Sequence, residues 1–489
     1  MTKNLLLFSF LFLANFLFGQ KIVSAELQES LTQEELSDRL ALFPAQFGVD
    51  AYKVLYETAD TDGTIDTASG FVVLPIKSTA DQQFPFLAYQ HGTSASRDAV
   101  PSNPENGERL LVYFFAGQGY YTTAADYLGL GDSRRVIHPY IHADSEASAG
   151  IDLVKATKTF VEELDLPISP QLFLTGYSQG GHASMAMHRA LQTSPIPDLL
   201  VAAGSHMSGI YNTSGELLDA SISEAVYNFP SYVVWIIVGY QSVYGNLYDN
   251  LSEIFRPDYL EDVRGFVNGT ITRATLNDLL VETLTENHGA SIPRFMLTES
   301  FINAFENEPD GPFQTALRDN DLFDWVPETP LRMMYCTADE QVDFTNATFT
   351  DSLMNANGAA DVASVDVNTE ADHGGCVIPA SLATLIFFEG FAERPLILST
   401  QRVDISLQFS LQPNPAKDYL TLSFDNTFSP NQDYQLRLVG MNGQILQSAV
   451  TNNLQNFYFP LNDISSGVYL MQIQTDNGFW TEKVVVRRG

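Results

Sequence analysis

The chain has 489 residues, more than one hydrophobic core usually holds, so a main domain with a smaller companion is expected. Lysine and arginine number 25 against 59 acidic residues, a formal net charge of −34. A surface of that sign repels nucleic acid and anionic membranes, which excludes both as partners and disfavours work at a negatively charged lipid interface.

Residues 1–20 carry Lys3 and then an apolar run from Leu5 to Gly19, the pattern of a secretory signal peptide and not of a spanning helix. Cleavage is expected near Gly19–Gln20 or after Ala25. Ala51 to Thr58 and Thr67 to Leu74 read as two strands joined through the Asp62-Gly63 turn, an antiparallel hairpin. Further apolar strands are expected near 86–90, 120–125, 171–175, 199–205, 331–336 and 364–368. Helical stretches separate most of them, notably Glu146 to Leu164 and Ser381 to Ala392. Strands alternating with helices predict a mostly parallel sheet covered on both faces, an α/β domain over 21–398.

One stretch carries more chemistry than any other. Gln171 to Thr175 reads as a buried strand, and Gly181 to Gln192 as a helix with Ala183, Ala186, Met187 and Ala190 at helical spacing. Between them lies Gly176-Tyr177-Ser178-Gln179-Gly180. A strand, a Gly-x-Ser-x-Gly turn and a helix place a serine hydroxyl on a strained corner at the carboxyl edge of the sheet. The glycines are steric: the turn brings backbones so close that side chains there would clash.

A serine needs a base, and the fold that uses such an elbow orders its triad serine, acid, histidine along the chain. Leu331 to Cys336 is the best downstream strand before a polar loop, which makes Asp339 the candidate acid. Asp343 and the adjacent Glu340 are alternatives. Of the eight histidines only His373 lies beyond, in Ala371-Asp372-His373-Gly374-Gly375 after the alternating run Ser364 to Asn368. His182 and His188 read as packing or surface residues on the helix after the elbow. His206 could line the site wall, His138 fixes a loop, and His142 and His288 are most simply solvated. No group of histidines has metal-ligand spacing, and no metal or organic cofactor is needed.

His91 is different. It ends the strand Phe86 to Tyr89 in Tyr89-Gln90-His91-Gly92-Thr93. A His-Gly turn there can offer backbone N–H groups to a developing oxyanion, with Gly92 allowing close approach. The N–H of Gln179 and that of Thr93 are the expected donors, and His91 is read as holding the loop.

Between about 211 and 325 the strand-helix alternation stops. The segment holds Tyr227, Phe229, Tyr232, Trp235, Tyr240, Tyr244, Tyr248 and Phe255, and the run Val233 to Val238 is too short to span a membrane. An insertion at this point reads as a cap over the site, with most aromatics forming its own core and some lining an acyl pocket.

With these motifs in view, residues 50–395 resemble the secretory lipase and esterase branch of the α/β-hydrolases. The likeness rests on Tyr89-Gln90-His91-Gly92-Thr93, Ala124 to Gly131, His138-Pro139-Tyr140, the elbow, Ala338 to Val342 and Asp372 to Gly375. It implies hydrolysis of small-molecule or lipid esters by Ser178, Asp339 and His373, and gives Asp126-Tyr127 an architectural role. From about 406 to 489 the pattern changes to short strands and turns. Pro413 to Ala416, Gly440 to Gly443, Gly467 to Leu470 and the basic end from Lys483 resemble the β-sandwich sorting domain of type IX secretion cargo. That implies the type IX machinery as partner and export across an outer membrane. A generic immunoglobulin-like module, such as a sugar binder, has similar strand spacing.

Cys336 lies three residues before Asp339, and Cys376 three after His373. In an oxidising compartment the pair should bridge, since the triad itself would bring these loops together; two free buried thiols are the alternative. Competing functional readings are a serine peptidase on the same fold and an inactive hydrolase fold used for binding. The sequence shows no clear site for a peptide terminus. An idle site has no physical need for serine, acid and histidine together.

Overall fold

A computed structural model of the protein describes residues 21–393 apart from 42, 78–81 and 218–221. It also describes the stretches 408–425, 434–440, 445–451, 457–461, 464–475 and 478–488. The expected signal peptide lies outside the described residues.

Nine strands form the main sheet. They are β1 (Ile22–Leu31), β2 (Val49–Ala59), β3 (Ile65–Pro75), β4 (Phe84–Gln90), β5 (Tyr121–Ala125), β6 (Ile168–Tyr177), β7 (Leu200–Met207), β8 (Leu331–Tyr335) and β9 (Val362–Asp366). Their spatial order is β1-β2-β3-β5-β4-β6-β7-β8-β9. The first three are antiparallel, β3 also meets β5 antiparallel, and every pairing from β5 to β9 is parallel. Connections within the parallel part run through helices, as parallel pairing requires.

Strand β4 shows why the sheet is buried on both sides. Phe86 and Ala88 point into one core and Leu87 and Tyr89 into the other, following the two-residue period of a strand. The first face is covered by α3 (Ala143–Glu163) and α4 (Gln179–Thr193), with Leu153, Val154, Ala183 and Met187 in its core. The second is covered by α1 (Gln33–Leu40), α2 (Arg109–Gly117) and the last helix of the domain, with Leu36, Val112, Phe115 and Phe388 in its core.

Two elements differ from expectation. Strand β1 was not anticipated, because it is a largely exposed edge strand whose Ser24, Glu26, Gln28 and Glu29 give no apolar alternation. Cleavage after Ala25 would cut this strand, whereas cleavage near Gly19–Gln20 leaves it whole. The helix expected at 381–392 spans His373–Glu389 instead, with Pro379 inside it and Asp372 Oδ1 capping it by accepting from Gly375 N at 2.7 Å. Gly374, Gly375 and Pro379 conceal its first turns in the sequence.

The segment between β7 and β8 is helical. It includes α5 (Pro230–Tyr244), α6 (Leu251–Ile254), α7 (Leu260–Val267), α8 (Arg273–His288), α9 (Glu299–Asn307) and α10 (Pro312–Asp319). Helix α5 is buried almost all round, so Val233 to Val238 belong to a core. Trp235, Tyr240 and Phe255 join the same core. No helix among the described residues is long and apolar enough to cross a membrane. Helices α11 (Thr345–Ala356) and α12 (His373–Glu389) follow β8 and β9. The C-terminal part forms separate antiparallel sheets of three and four strands. Leu420, Leu422 and Phe459 of one share a core with Leu436, Leu438 and Ile473 of the other.

Several histidines are more buried than their sequence context implies. His142 is not solvated; it is buried and caps α3, its side chain accepting from Ser145 N. His206 does not line the site wall. It lies beneath α4, with Nδ1 2.7 Å from Ser184 Oγ and Nε2 3.2 Å from His188 Nδ1. Burial pushes His188 from the ordinary 6.5 down to about 3, and His206 well below 6.5. Acidification through and below about pH 6.5 therefore adds protons to these groups in the unfolded chain but not in the folded one, so stability falls toward about pH 3. Scanning calorimetry should show the melting temperature falling from pH 7 to pH 4, and His188→Gln should flatten that slope; an unchanged slope would contradict the assignment.

Candidate active site

The elbow is built by a steric requirement. Ser178 has φ 59° and ψ −119°, left-handed backbone that a non-glycine residue adopts only when its surroundings force it. A Cβ on Gly180 would meet Gln90 O at 1.9 Å, and one on Gly176 would meet Gly180 O at 2.2 Å. Only glycine fits at either place. Ser178 N donates to Met207 O at 2.9 Å, which fixes the corner to the end of β7. Ser178 is 9% exposed.

The pairing of β4 with β6 sets Gln90 opposite Gly176, so the loop after β4 runs beside the elbow. A Cβ on Gly92 would lie 3.7 Å from Ser178 Cβ. Gly92 N donates to Glu108 Oε1 at 2.7 Å, and Tyr89 Oη donates to the same oxygen at 2.7 Å. His91 is buried, with Nδ1 2.7 Å from Gly92 O and Nε2 3.4 Å from Asp126 O. Its carbonyl accepts from Tyr127 Oη at 3.1 Å. Thr93 Oγ1 is 2.8 Å from Tyr140 Oη, and the Tyr140 ring stacks on Trp235 of α5 with centroids 4.8 Å apart.

Behind the elbow lies a buried polar cluster. Glu146 is 1% exposed. Its Oε1 accepts from Gln179 Nε2 at 2.7 Å and from Ile141 N at 3.1 Å, while Oε2 is 2.7 Å from His182 Nδ1. Gln179 Nε2 is also 2.7 Å from His138 Nε2. Burial pushes His138 from 6.5 to about 4, so its Nε2 lone pair is free to accept while Nδ1–H donates to Leu128 O at 2.8 Å. His138 thus fixes its loop, as its sequence context implies.

Asp339 follows β8 and is the carboxylate against His373. Its Oδ2 is 2.7 Å from His373 Nδ1, and its Oδ1 accepts from Gln341 N at 3.0 Å and Val342 N at 2.9 Å. The two alternatives are placed otherwise. Asp343 Oδ1 accepts from Thr345 N at 2.9 Å, and Glu340 Oε2 accepts from the backbone N of His373 at 2.9 Å. A carboxylate can only accept, so the hydrogen between Asp339 and His373 is carried on Nδ1 of His373.

The histidine loop is held by three further ties. Tyr177, next to the serine, donates from Oη to His373 O at 2.5 Å, with ring centroids 5.0 Å apart. Cys336 and Cys376 form a disulfide. Asp372 caps the helix that His373 begins. Ser178 and His373 line one cavity of about 400 Å³, which Gly92, Thr93, Leu111 and Ile378 also line. A second cavity of about 460 Å³ shares Ser178 and reaches toward Glu340, Asp343, Tyr227 and Asn346. Tyr232 and Gln341 line both, and Tyr232 Oη donates to Gln341 Oε1 at 3.0 Å.

Motif reading missed the parts played by Tyr177, Glu108 and Gln341, and had Glu340 only as an alternative acid and Tyr232 only among the aromatics of the insertion. Tyr177 and Glu340 sit inside motifs already identified, where adjacency to Ser178 and Asp339 was the available signal. Glu108 carries none, because only the fold brings it to the serine.

A nine-stranded, mostly parallel sheet with a strained serine elbow and a helical insertion above its carboxyl edge defines an α/β-hydrolase. Residues 104–387 match the secretory lipase family, and residues 410–487 match a secretion system C-terminal sorting domain. The chain belongs to the secretory lipase family. It is 26% identical to the rice cell wall degrading esterase LipA from Xanthomonas oryzae, over 76% of this chain and 98% of that one, at a TM-score of 0.67. A ligand-bound form of LipA gives 28% identity over the same shares and the same TM-score. Candida antarctica lipase A shares the fold at 15% identity, 76% and 81% coverage and a TM-score of 0.56. No curated protein sequence matches the chain. The protein is thus a carboxylic ester hydrolase, and its type IX sorting tail makes it secreted or displayed on the cell surface.

The disulfide closes a 40-residue separation between the acid and histidine loops, which in the chain-entropy model is worth about 4 kcal/mol. Cys336→Ala with Cys376→Ala should lower unfolding stability by that order in urea titration. Two free thiols in the denatured, unreduced wild type would contradict the bridge.

Proposed function

We propose that Ser178, His373 and Asp339 hydrolyse carboxylic esters by two-step acyl transfer. The observation that carries this is the 2.7 Å contact of Asp339 Oδ2 with His373 Nδ1 beside a cavity that Ser178 and His373 share. With Nδ1–H donated to Asp339, Nε2 takes the serine proton as Oγ attacks the ester carbonyl, and Asp339 stabilises the imidazolium. His373 then returns that proton to the departing alcohol, leaving an acyl group on Ser178. Water, deprotonated by the same imidazole, releases the acid and restores the serine.

The oxyanion is held by the N–H of Gln179, at the head of α4 where the helix dipole adds positive potential, and by that of Thr93. Each such donor is worth about 3–4 kcal/mol in the transition state. Gly92 N–H is already given to Glu108, which leaves its neighbour as the donor from that loop. The His91 and Gly92 turn keeps the loop against the elbow. The Glu146 cluster, through the Gln179 side chain, holds the other donor.

Hydrolysis of p-nitrophenyl esters from acetate to palmitate tests this reading. Ser178→Ala should abolish turnover, and Asp339→Asn should lower kcat by about four orders of magnitude with the fold intact. A folded wild type that cleaves no ester, or a Ser178→Ala variant that retains activity, would refute it.

A further inference from the structure

Two neighbouring carboxylates of one loop hold His373, one at its ring and one at its backbone. Asp339 Oδ2 meets the imidazole Nδ1 at 2.7 Å, and Glu340 Oε2 accepts from the backbone N of the same residue at 2.9 Å. That N–H is the first amide of α12, since the helix begins at His373 with Asp372 as its N-cap. A helix leaves its first amides without partners of its own. Asp372 Oδ1 serves Gly375 N from within the turn, whereas Glu340 serves the first amide from outside, across 33 residues of sequence.

Gln341 joins this grip to the helical insertion through its backbone and its side chain. Its N–H donates to Asp339 Oδ1 at 3.0 Å, and its Nε2 donates to Glu340 Oε1 at 3.3 Å. Its backbone O accepts from Tyr227 Oη at 3.3 Å, and its Oε1 from Tyr232 Oη at 3.0 Å. A carboxylate only accepts, so the amide nitrogen faces Glu340 and the amide oxygen is turned to Tyr232. Tyr232, on α5, is itself fixed. The Arg273 guanidinium lies 5.5 Å from its ring centroid, and Arg273 Nε donates to Ser94 O at 3.2 Å, beside Thr93. A continuous chain of hydrogen bonds thus runs from the insertion through Gln341 and Glu340 to the backbone of His373.

Resting on the proposed acyl transfer at Ser178, we infer that Glu340 is a positioning residue for His373, coupled to the insertion through Gln341 and Tyr232. The base has to meet the serine proton with one ring nitrogen while the other stays on Asp339, and small misplacements there are costly. Asp339 orients the ring and Tyr177 holds the His373 carbonyl. Glu340 fixes the remaining backbone group, and it does so as a hydrogen-bond acceptor, not through its charge. The insertion then helps to set the place of the base as well as walling the cavities.

Glu340→Ala, Glu340→Gln and Tyr232→Phe test this with p-nitrophenyl acetate, kcat and KM being measured separately where melting curves show each variant folded. Glu340 is exposed, so its truncation opens no cavity in a core. Glu340→Ala should lower kcat by about tenfold with KM within about twofold of wild type. Glutamine keeps an acceptor oxygen for the His373 N–H, so Glu340→Gln should recover most of that loss. Tyr232→Phe should lower kcat by about threefold. Combined with Glu340→Ala it should cost nothing further, because both act through one chain. An unchanged kcat in Glu340→Ala, or a glutamine variant as slow as the alanine one, overturns the positioning role. An effect carried by KM alone also overturns it, and makes Glu340 a substrate contact of the cavity it lines. Losses that multiply in the double variant overturn the link to the insertion. Failure of the underlying mechanism is read separately, as ester turnover that survives Ser178→Ala.

Discussion

The register between β4 and β6 is the constraint from which the site follows. It sets Gln90 beside Gly176 and leaves no room for a side chain on Gly176 or Gly180. The same pairing fixes two functional loops at once, because the elbow leaves β6 where His91-Gly92-Thr93 leaves β4. A shift of one residue would reverse the facing of every side chain in β4 and is opposed by two cores, one on each side. The strain at Ser178 is sustained by that surrounding rigidity.

A second set of ties brings Asp339 and His373 together beside the elbow. Strands β8 and β9 deliver the two loops, and the disulfide joins them just outside the Asp339–His373 contact. Tyr177 links the histidine backbone to the elbow directly. Asp339 makes two backbone hydrogen bonds besides its imidazole contact, so its orientation is determined before any substrate arrives. Such preorganisation is what allows an electrostatic site to work without reorganising during the reaction.

Much of this was legible in the sequence where local rules suffice. The elbow declares itself because a strained turn needs glycine at fixed spacing, and the Asp62-Gly63 hairpin because a tight turn needs its own residues. Asp339 and His373 followed from chain order, and the bridging cysteines from their places beside them. The rest depends on partners far away in sequence. His182 is buried because Glu146, 36 residues earlier, lies against it on another helix. Strand β1 is polar because it is an edge, and α12 hides its start behind two glycines and a proline. Glu108 carries no motif at all; its proximity to Ser178 is a property of the fold.

The most direct test of the central claim is covalent labelling with a fluorophosphonate followed by peptide mass mapping. The account predicts a single adduct on the peptide containing Ser178, and its loss in His373→Ala, where no base remains to activate the hydroxyl. An adduct on another residue, or undiminished labelling of Ser178 without His373, would contradict it.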